Sequence, residues 1–214
     1  MSELSFSVTG ARAEPYAAVP TLSLRLRITE STGVPIHALA LRVQIQIEPR
    51  RRRYASGESE RLLELFGAPE RYGDTLKTLL WTHVHLVLPS FEGAVEVDLP
   101  ITCTYDFEVA AAKYFDSLES GEIPLLLLFS GTVFLKSPAG FAVEQVPWEK
   151  EASYGLQVAV WREVMDRYFP GSAWIRLRKD TFEALHRFKS AQSLPTWEAA
   201  LEALLLEAEE KKPV

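Results

Sequence analysis

The chain predicts a mainly β or α+β fold: an antiparallel β-sandwich-like core followed by C-terminal helices. Three observations carry that expectation. Residues 95–109 alternate apolar and polar side chains almost without a break, as half-buried strands do. Residues 123–129, reading Ile-Pro-Leu-Leu-Leu-Leu-Phe, are apolar throughout and too short to span a membrane as a helix. Bounded by Gly121 and by Ser137 and Pro138, they predict a central strand, within residues 122–136, whose two faces are both covered. After Lys150 the apolar period changes from two to about 3.6, the helical repeat.

Taken in order, Leu4, Phe6 and Val8 alternate with small polar residues and form a short first strand ended by Gly10. Leu22, Leu24, Leu26 and Ile28 alternate with Ser23, Arg25, Arg27 and Thr29, giving a strand with a wet, cationic outer face. Leu39, Leu41, Val43, Ile45 and Ile47 line one side of the next strand. The turn between these two strands is too short for a crossover helix, so they are expected to pair antiparallel. Pro49 stops the strand, and Leu62, Leu63 and Phe66 mark a short helix broken by Gly67 and Pro69. Residues 81–88 form a strand with Val84, Leu86 and Leu88 on one face and Trp81, His83, His85 and Val87 on the other. In the strand at 95–109, Pro100 marks an edge position or a bulge. Residues 110–118 read as a short helix and residues 141–148 as the last strand.

Val158, Trp161, Val164, Met165 and Tyr168 then line a helix ended by Pro170 and Gly171. A second helix starts at Asp180, with Glu183 completing a capping box, and a third at Trp197 after the N-cap Thr196. The expected organisation is an antiparallel β core over residues 1–152, with short helical insertions, and a helical cap over residues 153–210 that belongs to the same domain.

With 214 residues, 47% of them hydrophobic, the chain is large enough to bury a substantial core. Its net charge of −6 disfavours non-specific contact with phosphate backbones, and no basic stretch is interleaved with aromatics, so no nucleic-acid partner is expected. Cys103 is the single cysteine, which rules out an internal disulfide. The start of the chain lacks a basic segment followed by an apolar run, and no apolar run approaches a spanning length. A cytoplasmic protein without membrane insertion is the expectation.

Chemistry is thinly marked. His83 and His85, two apart on a strand, put both imidazoles on one face, as metal sites do. A third ligand would have to come from His37, Glu92 or Asp106, which no spacing brings near, so a solvated sheet face that carries histidines is the favoured reading of the pair. Cys103 is in phase with apolar neighbours and reads as a small buried hydrophobe. Glu96, Asp98, Asp106 and Glu108 are the polar half of an alternating strand rather than a paired-acid site. No serine lies in a nucleophile-elbow context, and no glycine-rich phosphate loop is present. The sharpest charge feature is the run Arg50, Arg51, Arg52 and Arg53, expected to be largely exposed; it reads as a solvated loop whose cations could pair with Glu48, Glu58 and Glu60, or as part of a partner-binding surface together with Trp174.

The stretch Ile36-His37-Ala38-Leu39-Ala40-Leu41-Arg42-Val43-Gln44-Ile45, the strand at 121–134, Trp174, and Leu194-Pro195-Thr196-Trp197 resemble a family of uncharacterised bacterial proteins of this size. The resemblance covers most of the chain. It implies genes close to those of nickel–iron hydrogenases, and hence an accessory or assembly role with a hydrogenase or its assembly factors. It supplies no catalytic residues. This chain has no Cys-x-x-Cys pair for nickel or an iron–sulfur cluster, so such a link would work through protein contact.

The functional expectation is therefore a non-catalytic accessory or assembly protein acting through protein–protein contacts, with no cofactor and with a homo-oligomer compatible. The alternative is a metal-binding protein or metal-dependent enzyme built on His83 and His85.

Overall fold

The computed structural model describes residues 2–104, 106, 109–137, 140–172 and 175–210. Among the described residues eight strands form two antiparallel sheets packed as a sandwich. The first sheet has the order β1 (Leu4–Ala13), β2 (Thr21–Glu30), β5 (Ala94–Thr102). The second has the order β4 (Leu79–Leu88), β3 (Ile36–Ile47), β6 (Glu122–Ser137), β7 (Gly140–Gln145), with β8 (Glu151–Gln157) also on β6. β6 is long enough to pair with β7 along its C-terminal half and with β8 along its N-terminal half.

Alternation turns one face of each sheet inward. Leu22, Leu24, Leu26 and Ile28 from β2 meet Leu39, Val43, Ile45, Leu125 and Leu127 from the other sheet, all of them buried. Phe6 of one sheet stacks on Phe129 of the other, with ring centroids 4.2 Å apart, which fixes the sheets face to face. Each fully buried aliphatic side chain contributes about 1.5–3 kcal/mol. The outer face of the first sheet is polar, as alternation requires. Asp98 there accepts from Arg25 Nε at 2.8 Å and pairs with Arg12 at 3.1 Å. The acids Glu96 and Asp98 are thus members of an ion-pair network.

Helices close one end of the sandwich. α1 (Ser56–Arg61), α2 (Leu63–Phe66) and α3 (Tyr72–Thr75) follow β3; α4 (Ala110–Ser117) precedes β6; α5 (Val158–Tyr168) follows β8. Their inward aromatics interlock: Phe115 meets Trp161 at 4.7 Å and Trp81 at 4.9 Å, and Tyr114 meets Phe66 at 6.0 Å.

Several expectations are corrected. β2 and β3 do not pair; they lie in different sheets, and facing their apolar sides across the sandwich buries both. The link between them is held by Glu30, a buried carboxylate that accepts backbone N–H groups from Glu3, Thr32 and Val34 at 3.0–3.1 Å. β5 ends at Thr102, which pairs with Thr21 at the start of β2; the Cys103 N–H still donates to the Pro20 carbonyl at 2.8 Å, and residues 105, 107 and 108 of the expected strand lie outside the described residues. Pro100 sits on this edge strand. The central strand is fully buried on one face only: Ile123, Leu125, Leu127 and Phe129 are buried, whereas Leu126 and Leu128 on the other side are half-buried. The last strand is not at 141–148. β7 stops at Gln145, and β8 runs from Glu151 into the start of the predicted helical cap, missed because Leu156 is its only large aliphatic residue. The helical segment therefore begins at Val158 rather than at residue 153.

The chain divides into two compact units, Met1–Trp174 and Ile175–Val214, so α5 belongs to the β unit. In the second unit, α6 (Lys179–Ala191) and α7 (Trp197–Glu210) are joined by residues 192–196. α6 starts one residue before Asp180, with Arg178 at the cap. Thr196 caps α7 as expected, its hydroxyl accepting the Ala199 N–H at 3.1 Å. Trp197 packs on α6, against Phe182 at 5.1 Å and under the Lys189 ammonium at 5.6 Å.

Candidate functional site: the arginine turn

β3 delivers the chain to Pro49, which is buried and opens a single 3-10 turn, Pro49–Arg51. A proline there fixes the backbone angle and removes an N–H that the turn would leave unpaired. Four guanidiniums leave the turn in different directions. Their fates differ.

Arg52 turns inward, and its side chain is 10% exposed. It donates from Nη1 to the Glu122 carbonyl at 2.8 Å and from Nη2 to the Ser120 carbonyl at 2.7 Å, and it pairs with Glu58. Gly121, at φ +79°, bends the backbone so that both flanking carbonyls aim at the guanidinium; a Cβ there would stand 3.3 Å from Arg52 Nη1. Glu58, 2% exposed, also accepts the Ala55 N–H at 3.0 Å and the Glu119 N–H at 2.8 Å. Burial alone would raise the Glu58 carboxyl. The Glu119 and Ala55 N–H groups and the Arg52 charge outweigh it and hold the carboxyl below its ordinary range.

Beneath the pair, Tyr54 donates to the Pro49 carbonyl at 2.6 Å and meets the Tyr114 hydroxyl at 2.9 Å. Burial raises both phenols, Tyr114 to about 12, so neither ionises near neutrality. Arg52 is therefore an anchor, tying the end of β3 to α1 and to the start of β6. The expectation that it stands exposed among partner-binding residues is corrected: two carbonyls and a carboxylate repay the cost of burying its charge.

Arg50, Arg51 and Arg53 remain exposed. Arg51 donates to Glu48 at 2.7 Å and to the Ser153 hydroxyl at 3.2 Å. Arg50 and Arg53 make no ion pair or side-chain hydrogen bond among the described residues. Two open recesses flank the turn. One, of about 500 Å³, is lined by Arg51, Arg53, Glu119 and Glu122; the other, of about 460 Å³, by Arg50, Arg51, Lys77 and Glu151. Trp174, the other predicted contact residue, lies outside the described residues.

The histidine pair lies elsewhere. His83 and His85 share the outer face of β4, where His83 Nε2 meets Gln44 Oε1 at 3.2 Å and His85 stands opposite Arg42, a cation. A bulge at Trp81 sends that residue to the core instead of onto the histidine face. His37 lies seven residues along β3 from Gln44, about 24 Å at strand rise, and shares its recess with Glu92. Among the described residues no three His, Cys, Asp or Glu side chains group as a metal site. Cys103 is buried, and burial pushes its thiol up to about 12, so it stays protonated. No helix among the described residues is long and apolar enough to cross a membrane.

Sequence reasoning counted Glu58 among the acids the arginines could pair with, without singling out Arg52 as its partner, and it missed Tyr54 and Tyr114, which hold the turn. The only local signal was Glu58 reaching back to the Ala55 N–H, three residues earlier, a helix-start pattern. Nothing in the spacing pointed to residues 119–122.

A family model described as "Family of unknown function (DUF6084)" matches residues 1–213. No curated protein matches the chain. Among solved structures, a β-glucosidase from Kluyveromyces marxianus is similar at 10% identity and a TM-score of 0.28, over 73% of this chain but 15% of the enzyme. The CARDB domain of a Pyrococcus furiosus protein, in complex with di-metal ions, is similar at 8% identity and a TM-score of 0.29, over 73% of this chain and 92% of that one. The major subunit of an Escherichia coli aggregative adherence fimbria is similar at 8% identity and a TM-score of 0.25, over 73% and 94%. The chain spans about 15% of the β-glucosidase's length. At TM-scores this low the likenesses carry no argument about activity.

Proposed function

The chain belongs to DUF6084, a family of unknown function, and from its geometry we propose that it is a non-catalytic binding module that engages an acidic surface of another protein. One observation carries this reading. Arg52 is locked into the fold, and it holds Arg50, Arg51 and Arg53 out from a single short turn. An anchored turn loses little backbone freedom on binding, so its exposed guanidiniums meet carboxylates at a reduced entropic cost. The recesses on either side give a partner's side chains room to enter. The bacterial, hydrogenase-linked setting implied by the resemblance makes a hydrogenase or one of its assembly factors the first partner to try.

The test begins with affinity capture from native lysate and mass spectrometry. Binding of the captured partner is then measured for the wild type and for the double variant Arg50→Ser with Arg53→Ser. The variant is expected to bind at least ~10-fold more weakly, about 1.4 kcal/mol, and to lose much of the salt dependence of the association rate. Its thermal midpoint should stay within a few degrees, because exposed cations contribute roughly 0–1 kcal/mol to folding. Unchanged affinity and rate would reduce the turn to a solvated loop.

A further inference from the structure

The two-helix unit, considered by itself, covers little of its own apolar surface. Over residues 175–210 only Ala200 is buried, while Phe182, Trp197, Leu201, Leu204 and Leu205 are between 36% and 66% exposed. Trp197, Leu201, Leu204 and Leu205 recur at helical spacing along α7; the Trp197 ring already packs on Phe182 of α6, and the three leucines are the open part of the stripe. A segment of about 40 residues is too small to enclose a core and needs a disulfide, a metal or association. The single cysteine lies outside this unit.

Charge indicates what the stripe fits. α7 carries Glu198, Glu202, Glu207, Glu209 and Glu210 and no lysine or arginine. Glu198, Glu202, Glu209 and Glu210 have no ion-pair partner among the described residues. α6 and its lead-in carry Arg176, Arg178, Lys179, Arg187 and Lys189 against only Asp180 and Glu183; Arg178 pairs with Asp180 and Lys179 with Glu183, which leaves Arg176, Arg187 and Lys189 in excess. The unit is thus basic on one helix and acidic on the other. Two α7 stripes laid together would set glutamate rows against each other. A second copy turned about a two-fold axis instead sets each α7 beside the other copy's α6, so the same patch is complementary to itself.

We propose that the chain forms a two-fold dimer through α6 and α7, with the α7 stripe of each copy covered by the basic helix of the other. At helical rise α7 is about 21 Å long, and two faces of roughly 20 by 20 Å bury on the order of 1,000 Å², the lower bound for a specific interface. The inference stands apart from the arginine-turn reading, which concerns the other unit.

Sedimentation of the full chain between about 1 and 200 µM, at low salt, tests it. The wild type is expected to show a concentration-dependent dimer. Leu201→Glu with Leu204→Glu should weaken the dimer at least ~30-fold. A basic-unit variant (Glu198→Lys, Glu202→Lys, Glu209→Lys) and an acidic-unit variant (Arg176→Glu, Lys179→Glu, Arg187→Glu) should each dimerise at least ~10-fold more weakly. An equimolar mixture of the two should restore a dimer containing one of each. Arg50→Ser with Arg53→Ser should leave the dimer constant unchanged. A wild type that stays monomeric at 200 µM overturns the proposal, as does a dimer indifferent to the leucine changes or a mixture that fails to pair.

Discussion

The β unit and the two-helix unit use similar residues to opposite ends. Both are rich in leucine. In the β unit, alternation at period two aims Leu22, Leu24, Leu39, Leu125 and Leu127 at an opposing sheet, and all are buried. In the helical unit, Leu201, Leu204, Leu205 and Leu206 recur along one helix and remain exposed. Apolar content alone does not decide burial. A sandwich supplies two large faces that cover each other, whereas two short helices supply a surface but no enclosed volume.

That contrast should break at Phe129 if it is wrong. Phe129→Ala removes a ring stacked between the sheets and is expected to cost about 3–5 kcal/mol in chemical denaturation. Leu206→Ala, in the helical unit and off the α7 stripe, should stay within roughly 0.5 kcal/mol. Equal losses at the two sites would mean that Leu206 is covered in solution.

A slightly smaller effect sharpens the comparison inside the β unit. Arg52→Ala strands the buried Glu58 carboxylate and should cost roughly 3 kcal/mol, since removing one partner of a buried pair leaves an uncompensated charge. A midpoint shift no larger than that of Arg50→Ser with Arg53→Ser would show that Arg52 is not the anchor of the turn.

A pH-dependent effect is read from acid unfolding. The Thr32 hydroxyl first of all, with the Glu3, Thr32 and Val34 N–H groups, holds Glu30 down to about 2, below its ordinary value of 4.5. A depressed carboxyl contributes stability that is fully present above the unfolded value and lost as pH falls through the folded one. Wild-type stability should therefore decline between about pH 4.5 and 2, and Glu30→Gln should flatten that limb while lowering stability at pH 7. Parallel limbs for the two proteins would remove Glu30 from the link between the sheets.

By itself the sequence determined the antiparallel strands and their inward faces, because alternation is a local property: Leu39, Leu41, Val43 and Ile45 had to face one way together. It determined α4, α5 and the Thr196 cap in the same local manner, and it restricted Pro100 to an edge or a bulge, of which the fold uses the edge, where a missing N–H is tolerated. Strand partners were decided only in three dimensions. A short link serves a hairpin or a step between sheets equally well, and the choice for β2 and β3 rests on a Glu30 latch that draws on Glu3, far back in the chain. Likewise, β8 is a strand because β6 offers it an edge, not because its own side chains demand one. The four arginines read alike in sequence. Only the fold brought Glu58, Ser120 and Glu122 around one of them, and burying a charge is tolerable only where such partners converge.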